Sequence, residues 1–375
     1  MRRWFANVYH LGLKELASLA GDVILVVFTV YWFSFMVYSE ATGVEMEVRN
    51  ANFAIVDGDR SVLSRRLSDA IRPPQFKPVV LIDRAAVDGE MDRGRFTFVL
   101  DIPPHFEADI QRGRRPTLQL NVDATAVSQA GVGAGYINVI IAREITSYLQ
   151  MKGVDAELPV KTVTRAHFNP NLESLWFQSV ASLIDKITLI SILLVGAAVI
   201  REREHGTIEH LLVMPLRASE IAAAKIWANG LAVLAGSTLS LALVIRLALQ
   251  VPIEGSVLLF IFGTAVYLFA TTSLGVLLAT IANTMPQFGL LMTVVFINLT
   301  MLSGGMSPLE TMPHTLQIIL QVSPAVHYVE LVQGVLYRAA GIDVIWPQLL
   351  ILACLGAIFI IVSLMRFRSM LARQM

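Results

Sequence analysis

The sequence predicts an α-helical integral membrane protein with six transmembrane helices and an inserted α/β domain. Hydrophobic residues make up 55% of the 375 residues, charged residues only 15%, and the mean hydropathy is +0.63. These values are too apolar for a soluble enzyme. The apolar residues are collected in long runs, and one long polar stretch separates the first run from the second.

Each apolar run is long enough, or nearly so, to cross about 30 Å of hydrocarbon as a helix of about 20 residues. The runs cover residues 22–39, 179–200, 221–249, 256–282, 285–302 and 344–365, so that the third to fifth spans fall within 221–302. The first run could instead be a signal peptide, because Ser39-Glu40-Ala41 weakly resembles a cleavage site. It is longer and bulkier than a signal core, and we interpret it as an uncleaved anchor.

Basic residues in the short loops predict the orientation, because Lys and Arg accumulate on the cytoplasmic side. One side of the predicted spans carries Arg2, Arg3, Lys14, Arg201, Arg203, Arg217, Lys225, Arg366, Arg368 and Arg373. On the other side, residues 250–255 have no Lys or Arg, and residues 304–343 have only Arg338. We therefore expect both termini and the tail at 366–375 to be cytoplasmic, and residues 40–178 to be external.

The external stretch at residues 40–178 is long enough for one compact domain. Strands are predicted at residues 51–56, 76–82, 95–102, 117–123 and 160–165, and helices at 61–71, 83–93, 103–112 and 129–151. This alternation predicts an α/β domain with a mixed or parallel sheet. Its glycines at 131, 133 and 135 do not have the spacing of a nucleotide-binding loop. A module that docks another protein or gates a path fits this stretch better than a catalytic domain.

Several chemical functions are disfavoured by the residues. The chain has no G-x-x-x-x-G-K-[ST] loop, so we expect it to bind no ATP of its own. His205 and His210 are five residues apart, which places them on different helix faces, and we predict no metal site there. The single Cys354 excludes an intrachain disulfide. The net charge of zero implies no nucleic-acid partner.

Few charged residues fall inside the predicted spans. Asp185 and Lys186 lie in the second span, and Arg246 lies in the third. Lys186 and Arg246 are near span ends, and we expect both side chains to extend towards water. Asp185 is then the one buried carboxylate, which disfavours a proton-coupled transporter.

A dense polar segment at residues 201–220 lies between the second and third spans. Thr207 can cap a short helix after Gly206, with Glu209 near its N-terminus. Ile208, Leu211 and Leu212 would then share one face, and Pro215 would end the helix. The alternative is an ordinary polar loop, but a loop needs no apolar stripe. We expect the stripe to fit a groove on a soluble partner.

A second unusual segment, residues 303–343, lies between the fifth and sixth spans. Its helix-breaking or turn positions are Ser303, Gly304, Pro308, Met312, Pro313 and Pro324. Broken apolar helices at membrane depth are tolerated only where protein or a cavity surrounds them. We predict a re-entrant helical pair that caps a pathway from outside; the alternative is two helices lying flat on the membrane surface.

The two segments together resemble the signatures of ABC-2 type transport permeases. The resemblance is carried by Glu202-Arg-Glu-x-Gly206-Thr-x-Glu209-x-Leu211-Leu-x-x-Pro215, and by Leu302-Ser-Gly304 with Pro308, Met312-Pro313 and Ser323-Pro324. It covers essentially the whole chain, and six spans with a large domain after the first are similar to the efflux subgroup of that family. It implies a type V exporter-like fold in which residues 1–21 form an interfacial elbow helix.

The resemblance also implies the function and the partners. The chain would be a permease half in a bacterial inner membrane, paired with a second, identical or paralogous half. A separate ABC ATPase would bind the ATP and Mg²⁺, and this chain would hold no cofactor. The residues that would couple to that ATPase are Glu202, Arg203, Glu204, Gly206, Thr207, Glu209, Leu211, Leu212 and Pro215. Relatives in the subgroup work with a periplasmic membrane-fusion protein and an outer-membrane channel, which makes residues 40–178 periplasmic.

Two other classes of function remain as alternatives. A membrane-anchored scaffold or sensor would bind a partner through the external domain, but it has no use for a re-entrant segment. An ion-gradient transporter is disfavoured by the lack of buried carboxylates and of inverted repeats. The sequence does not identify the substrate, and an apolar pathway fits hydrophobic or amphiphilic molecules alike.

Overall fold

The computed structural model describes residues 2–43, 48, 50–123, 127–152, 174–204, 216–305, 309 and 312–372. The chain forms two compact units. The first, the helical unit, combines Met1–Gly43 with Leu175–Met375, and the second, the inserted unit, is Val44–Ser174.

The helical unit begins with α1 (Arg2–Gly21) and α2 (Val23–Gly43). Asp22 caps α2, because its carboxylate accepts a hydrogen bond from the Leu25 N–H at 3.1 Å. Large apolar side chains such as Ile24, which is 81% exposed, cover the outside of α2, as expected of a helix that faces lipid. The helix continues past the predicted end of the first span at Ser39, so that Glu40 lies on the helix.

The inserted unit is built around a four-stranded sheet. Its elements are β1 (Phe53–Asp57), α3 (Val62–Ala70), β2 (Val80–Leu81), a 3₁₀ turn (Arg84–Ala86), α4 (Val87–Asp92), β3 (Phe98–Ile102), α5 (Phe106–Gln111), β4 (Gln119–Val122) and α6 (Val127–Met151). The strand order is β2-β1-β3-β4. β1 pairs in parallel with β2 and β3, and β4 is antiparallel to β3, so the sheet is mixed. The strand predicted at 160–165 lies outside the described residues.

The core of the inserted unit lies between the sheet and α3 and α6. Phe53, Phe76 and Phe98 contact one another through their rings, with centroids 5.4 to 6.2 Å apart. Glu107 on α5 fixes the helices around this core, because its carboxylate accepts hydrogen bonds from the Leu63 N–H and the Tyr148 hydroxyl. Burial alone would raise the pKa of Glu107, but these hydrogen bonds outweigh burial and lower it.

The chain then returns to the helical unit. Its helices here are α7 (Ser174–Glu204), α8 (Ala218–Ala248), α9 (Val257–Ile281), α10 (Met285–Met301), α11 (His314–Leu320), α12 (Pro324–Arg338) and α13 (Ile342–Ala372). Within the described ranges, five helices, α2, α7, α8, α9 and α13, are long and apolar enough to cross a membrane. The bent pair α11 and α12 would raise this number to six if it forms one broken span.

The predicted fifth span corresponds to α10, which has 17 residues. At about 1.5 Å per residue it is about 25 Å long, somewhat short of the hydrocarbon thickness of about 30 Å. Five of the six predicted runs therefore form helices long enough to cross a membrane, and the remaining run forms a shorter apolar helix. Thr284 caps its N-terminus, and the Thr284 hydroxyl accepts a hydrogen bond from the Gln287 N–H.

Small residues allow the central helices of the bundle to approach closely. A Cβ added at Gly275 of α9 would lie 2.9 Å from the backbone oxygen of Ile192 on α7. In the same bundle Tyr267 of α9 stacks on Tyr328 of α12, with ring centroids 3.8 Å apart and 6° between the planes. Both rings are fully buried, and their hydroxyls bond Thr188 and Thr264. Close packing and interhelical hydrogen bonds are the main forces that hold helices together in lipid.

Candidate functional site

The start of α8 carries a buried charge cluster that joins three helices. Lys225 is only 2% exposed, and its Nζ lies 2.6 Å from Glu15 Oε1 on α1 and 2.9 Å from Glu202 Oε1 on α7. It also lies 3.4 Å from the Ala198 carbonyl oxygen. We call Lys225, Glu15 and Glu202 the Lys225 cluster. Separation of the three helices would leave the buried charges without their partners, which is strongly unfavourable. The cluster therefore fixes α1, α7 and α8 against one another.

A cavity of about 270 Å³ adjoins the Lys225 cluster, and Lys14, Arg201 and Asn229 are among its other lining residues. The polar residues among its lining can hydrogen-bond water. The carboxylates of Glu15 and Glu202 keep 17% and 20% exposure at this cavity, which reduces the cost of holding charges inside the fold.

Polar contacts of the α1 helix fix its position along α8. The Trp227 indole donates a hydrogen bond to the Val8 carbonyl at 3.1 Å. Gly12 lies against the same indole, since a Cβ built at Gly12 would be 2.1 Å from its ring atoms. Nearer the start of α8, Asn7 donates to Glu220, whose other oxygen accepts from the Arg217 N–H at 2.7 Å. The first turn of α8 is therefore both capped and held against α1.

The first part of the predicted coupling segment is bound within the chain. Arg203 donates hydrogen bonds to the carbonyls of Ala279 and Ala282 at the C-terminal end of α9. Glu204 accepts the Met285 N–H at 2.8 Å, at the start of α10. Both arrangements follow helix polarity, with a cation at a helix C-terminus and an anion at an N-terminus.

These contacts give Glu202, Arg203 and Glu204 partners inside the protein, whereas the family resemblance implies that they couple to an ATPase. Their role towards an ATPase stays a prediction. The other residues of the predicted coupling segment lie outside the described residues: Gly206, Thr207, Glu209, Leu211, Leu212 and Pro215.

The second predicted segment forms a sharp bend. Ser303 follows α10, and its hydroxyl donates to the Thr300 carbonyl and accepts the Gly305 N–H. Gly304 has φ +83°, a left-handed conformation that favours glycine. Met312 and Pro313 precede α11, Pro324 begins α12, and the two helices are bent by 86°. Pro308 lies outside the described residues.

The burial of α12 distinguishes between the two predicted arrangements of residues 303–343, a re-entrant pair and two helices flat on the membrane surface. Of its 15 residues, 11 are buried, and it contacts α9, α10 and α13. A helix lying flat on the membrane surface would keep one face exposed, so this burial argues against the flat alternative for α12. The shorter α11 does expose Ile318 and Ile319.

The expectation that Lys186 extends towards water is wrong. Lys186 is 4% exposed, its Nζ lies 2.6 Å from Glu40 Oε1, and it sits 5.1 Å above the Trp32 ring. Ser182 donates a further hydrogen bond to Glu40 at 2.7 Å. Charge pairing and a cation–π contact thus hold the ammonium inside the bundle. The other cation, Arg246, is exposed.

Glu40 and Glu15 are the functional candidates that the sequence reasoning did not identify. Glu40 follows the apolar part of its helix and was assigned to the external domain, and Glu15 lies in the middle of an amphipathic helix. Their partners are 146 and 210 residues away along the chain. The part of the chain that the structure describes contains no group of three or more His, Cys, Asp or Glu side chains suited to a metal ion.

Comparison with known proteins gives consistent similarities over nearly the whole chain. A family model described as "ABC-2 family transporter protein" matches residues 21–365. The chain is 47% identical to the inner membrane transport permease YhhJ of Escherichia coli (strain K12), over 98% of each chain. It is 29% identical to the probable multidrug ABC transporter permease YbhR of the same organism, over 94% of this chain and 97% of YbhR. With YbhS, described in the same words, it shares 25% identity over 72% of each chain.

Proposed function

The chain belongs to the ABC-2 family of transporter proteins, and from this premise we propose that it is the permease subunit of an ATP-driven exporter in a bacterial inner membrane. Membership of this family implies a non-catalytic transport subunit and an ABC ATPase as its partner. The relatives described as multidrug permeases favour efflux of a hydrophobic or amphiphilic substrate.

The contacts of the described residues on either side of residues 205–215 support this proposal most directly. On its N-terminal side, Glu202, Arg203 and Glu204 contact α8, α9 and α10. On its C-terminal side, the carboxylate of Glu220 joins the first turn of α8 to α1. A push on the segment by a bound ATPase would therefore be passed to four helices at once, which is what a coupling element must do.

The partners and the topology form the rest of the proposal. ATP and Mg²⁺ are bound by the ATPase, and a second permease half, identical or paralogous, completes the pathway. A membrane-fusion protein and an outer-membrane channel carry the substrate onward, with the inserted unit in the periplasm. Both termini are cytoplasmic, α10 serves as the short fifth span, and α11 and α12 form a re-entrant pair.

ATP hydrolysis tests the subunit assignment. The tagged chain is purified from its native membrane at native expression, and hydrolysis is measured before and after bound subunits are stripped. We expect activity only while a P-loop ATPase co-purifies, since the chain lacks a phosphate-binding loop. Robust hydrolysis by the stripped chain would overturn the assignment.

Dye uptake separates a permease from a scaffold or sensor. A permease should give ATP-dependent uptake of amphiphilic dyes by inside-out vesicles, and this uptake should be lost on deletion of the chain.

Cysteine accessibility tests the topology. Ser128→Cys and Ser369→Cys are made separately in a Cys354→Ser background. An impermeant maleimide added to intact spheroplasts should label position 128 and leave position 369 unlabelled until the membrane is opened. Labelling of position 369 in intact spheroplasts would contradict a cytoplasmic C-terminus.

A further inference from the structure

The helical unit contains a two-part cavity between α7, α10, α12 and α13. The larger part, which we call the vestibule, has a volume of about 490 Å³ and includes Glu330, Arg338 and Gln348 in its lining. The smaller part, which we call the recess, has about 10 Å³ and includes Asp185. The two parts share Phe177, Ser303, Gly305, Val329 and Gln333 in their walls, so the recess adjoins the vestibule.

The recess contains the carboxyl group of Asp185, which forms no ion pair with the described residues. Asp185 is followed on α7 by Lys186, but that ammonium is bound to Glu40 at 2.6 Å. Consecutive residues on a helix are about 100° apart, so the two side chains leave α7 in different directions. With all three side chains ionised, Glu40, Asp185 and Lys186 have a net charge of −1. Among the described residues, none donates a hydrogen bond to Asp185. A carboxylate in such a position inside a membrane bundle marks a functional site.

Three residues that line the recess have hydroxyl groups whose hydrogens are donated elsewhere. The Ser303 hydroxyl donates to the Thr300 carbonyl at 2.8 Å. Thr300 donates to the Phe296 carbonyl at 3.1 Å, and Tyr337 donates to the Trp176 carbonyl at 2.8 Å. The recess is therefore lined by the Asp185 carboxyl group and by hydroxyl groups that can only accept a further hydrogen bond, and the matching group is a cation that only donates hydrogen bonds.

From this arrangement we propose that the recess binds the primary ammonium group of an amphiphile whose apolar part occupies the vestibule. A primary ammonium has three donors and no acceptor, and it is about as large as the single water that a recess of this volume holds. A quaternary ammonium is too bulky and has no donor. In the vestibule Glu330 and Arg338 balance each other in charge, so the preference for a cation comes from the recess. This inference rests on the proposed export function and names the substrate class.

Fluorescence binding with a matched pair of probes tests the proposal. Dansylcadaverine has a primary ammonium on a short alkyl chain, and its hydroxyl analogue is neutral with the same length and fluorophore. Each is titrated into the full chain in nanodiscs, with empty nanodiscs as the background. We expect the amine to bind at least about tenfold more tightly than the hydroxyl analogue, because a partly buried ion pair at contact distance exceeds that difference.

Two variants assign this preference to Asp185. Asp185→Asn keeps the side-chain shape and removes the charge, so the amine should bind no more tightly than the hydroxyl analogue. Asp92→Asn makes the same change at an exposed position of the inserted unit and should leave the preference intact. Equal affinity of both probes for the unsubstituted chain would overturn the proposal, as would an unchanged preference in Asp185→Asn. N-trimethylated dansylcadaverine binding as tightly as the amine would contradict the recess as the site.

The binding test needs neither ATP nor a partner subunit. A failed amine preference would leave the permease assignment intact. Amine binding without ATP-dependent uptake of any probe would keep the recess and refute the exporter.

Discussion

Loss of the Lys225 ammonium should destabilise the helical unit more than any surface charge change. Lys225→Met keeps the length of the side chain but leaves the carboxylates of Glu15 and Glu202 without their shared cation. Breaking a buried ion pair costs about 3–5 kcal/mol. Both carboxylates are partly exposed at the adjoining cavity, where water can solvate them, so we expect about 3 kcal/mol.

A charge-neutral variant separates electrostatics from packing. Adding Glu15→Gln and Glu202→Gln to Lys225→Met removes the uncompensated charges while keeping the volume, and it should recover most of the lost stability. Arg93→Ala serves as the surface control, because Arg93 is 64% exposed in its pair with Glu90 and such pairs contribute about 0–1 kcal/mol.

The free energy of unfolding is measured by SDS titration in mixed micelles, with tryptophan fluorescence as the signal. Trp227 bonds α1 and therefore reports its release from α8. A cost below about 1 kcal/mol for Lys225→Met would show that the buried cluster is no stronger than a surface pair. No recovery in the triple variant would show that lost packing of the lysine stem, and not charge, causes the effect.

Three further predictions concern packing, pH and coupling. Gly255→Ala should lower the free energy of unfolding by about 1–3 kcal/mol in the same titration, because its Cβ would lie 1.6 Å from a backbone oxygen of α12. A Cβ at Gly289 would have no atom within 4 Å, so Gly289→Ala should be nearly neutral. The pKa of Glu107 is lower in the folded chain than in the unfolded one. The ionised carboxylate therefore stabilises the inserted unit fully above the ordinary carboxyl pKa, and this stabilisation is lost as the pH falls through the lowered pKa. Glu107→Gln should therefore flatten the loss of stability at low pH, and an unchanged pH profile would refute this. Leu212→Asp should reduce export and ATPase co-purification more than Arg217→Ala at matched expression. Burial of a leucine in the ATPase groove would contribute roughly 1.5–3 kcal/mol to binding, whereas an exposed charge pair contributes about 0–1 kcal/mol. Normal export by Leu212→Asp would mean that the segment is only a loop.

Hydropathy and periodicity predict those features that depend on local sequence. Long apolar runs predict the candidate spanning helices, and apolar patterns locate the described strands of the inserted unit to within a few residues. The strand predicted at 76–82 is longer than the strand in the structure, because β2 covers only Val80–Leu81. Phe76 enters the core through an isolated bridge to Ala51, and Pro78 has no N–H for a ladder. A two-residue strand with a core aromatic before it has the same apolar pattern as a longer strand.

Ion pairs between distant segments cannot be predicted in this way. Lys186 near the end of an apolar run has the pattern of a side chain that extends to water, and only the packing of α2 against α7 brings Glu40 to it. The same holds for Glu15: the sequence singles out its partner Lys225 among the basic residues that set the orientation, but it does not single out Glu15. In both cases the cation is visible as an exception in an apolar helix, whereas the anion lies in a segment where charge is ordinary.

The ion pairs of α7 also bear on how a force at the predicted coupling segment would travel. Arg201 near the end of α7 contacts Asp22 at the start of α2, at 3.0 Å, and Lys186 nearer the start of α7 contacts Glu40 near the end of α2, at 2.6 Å. The two helices are therefore joined at both ends and run antiparallel, so that a displacement of one carries the other. The chain leaves α2 for the inserted unit and re-enters through α7, so both connections of that unit come from this joined pair. Movement that begins at residues 205–215 would reach the inserted unit through the α2–α7 pair, and loss of the Glu40–Lys186 contact should weaken that transfer even where the coupling segment itself is unchanged.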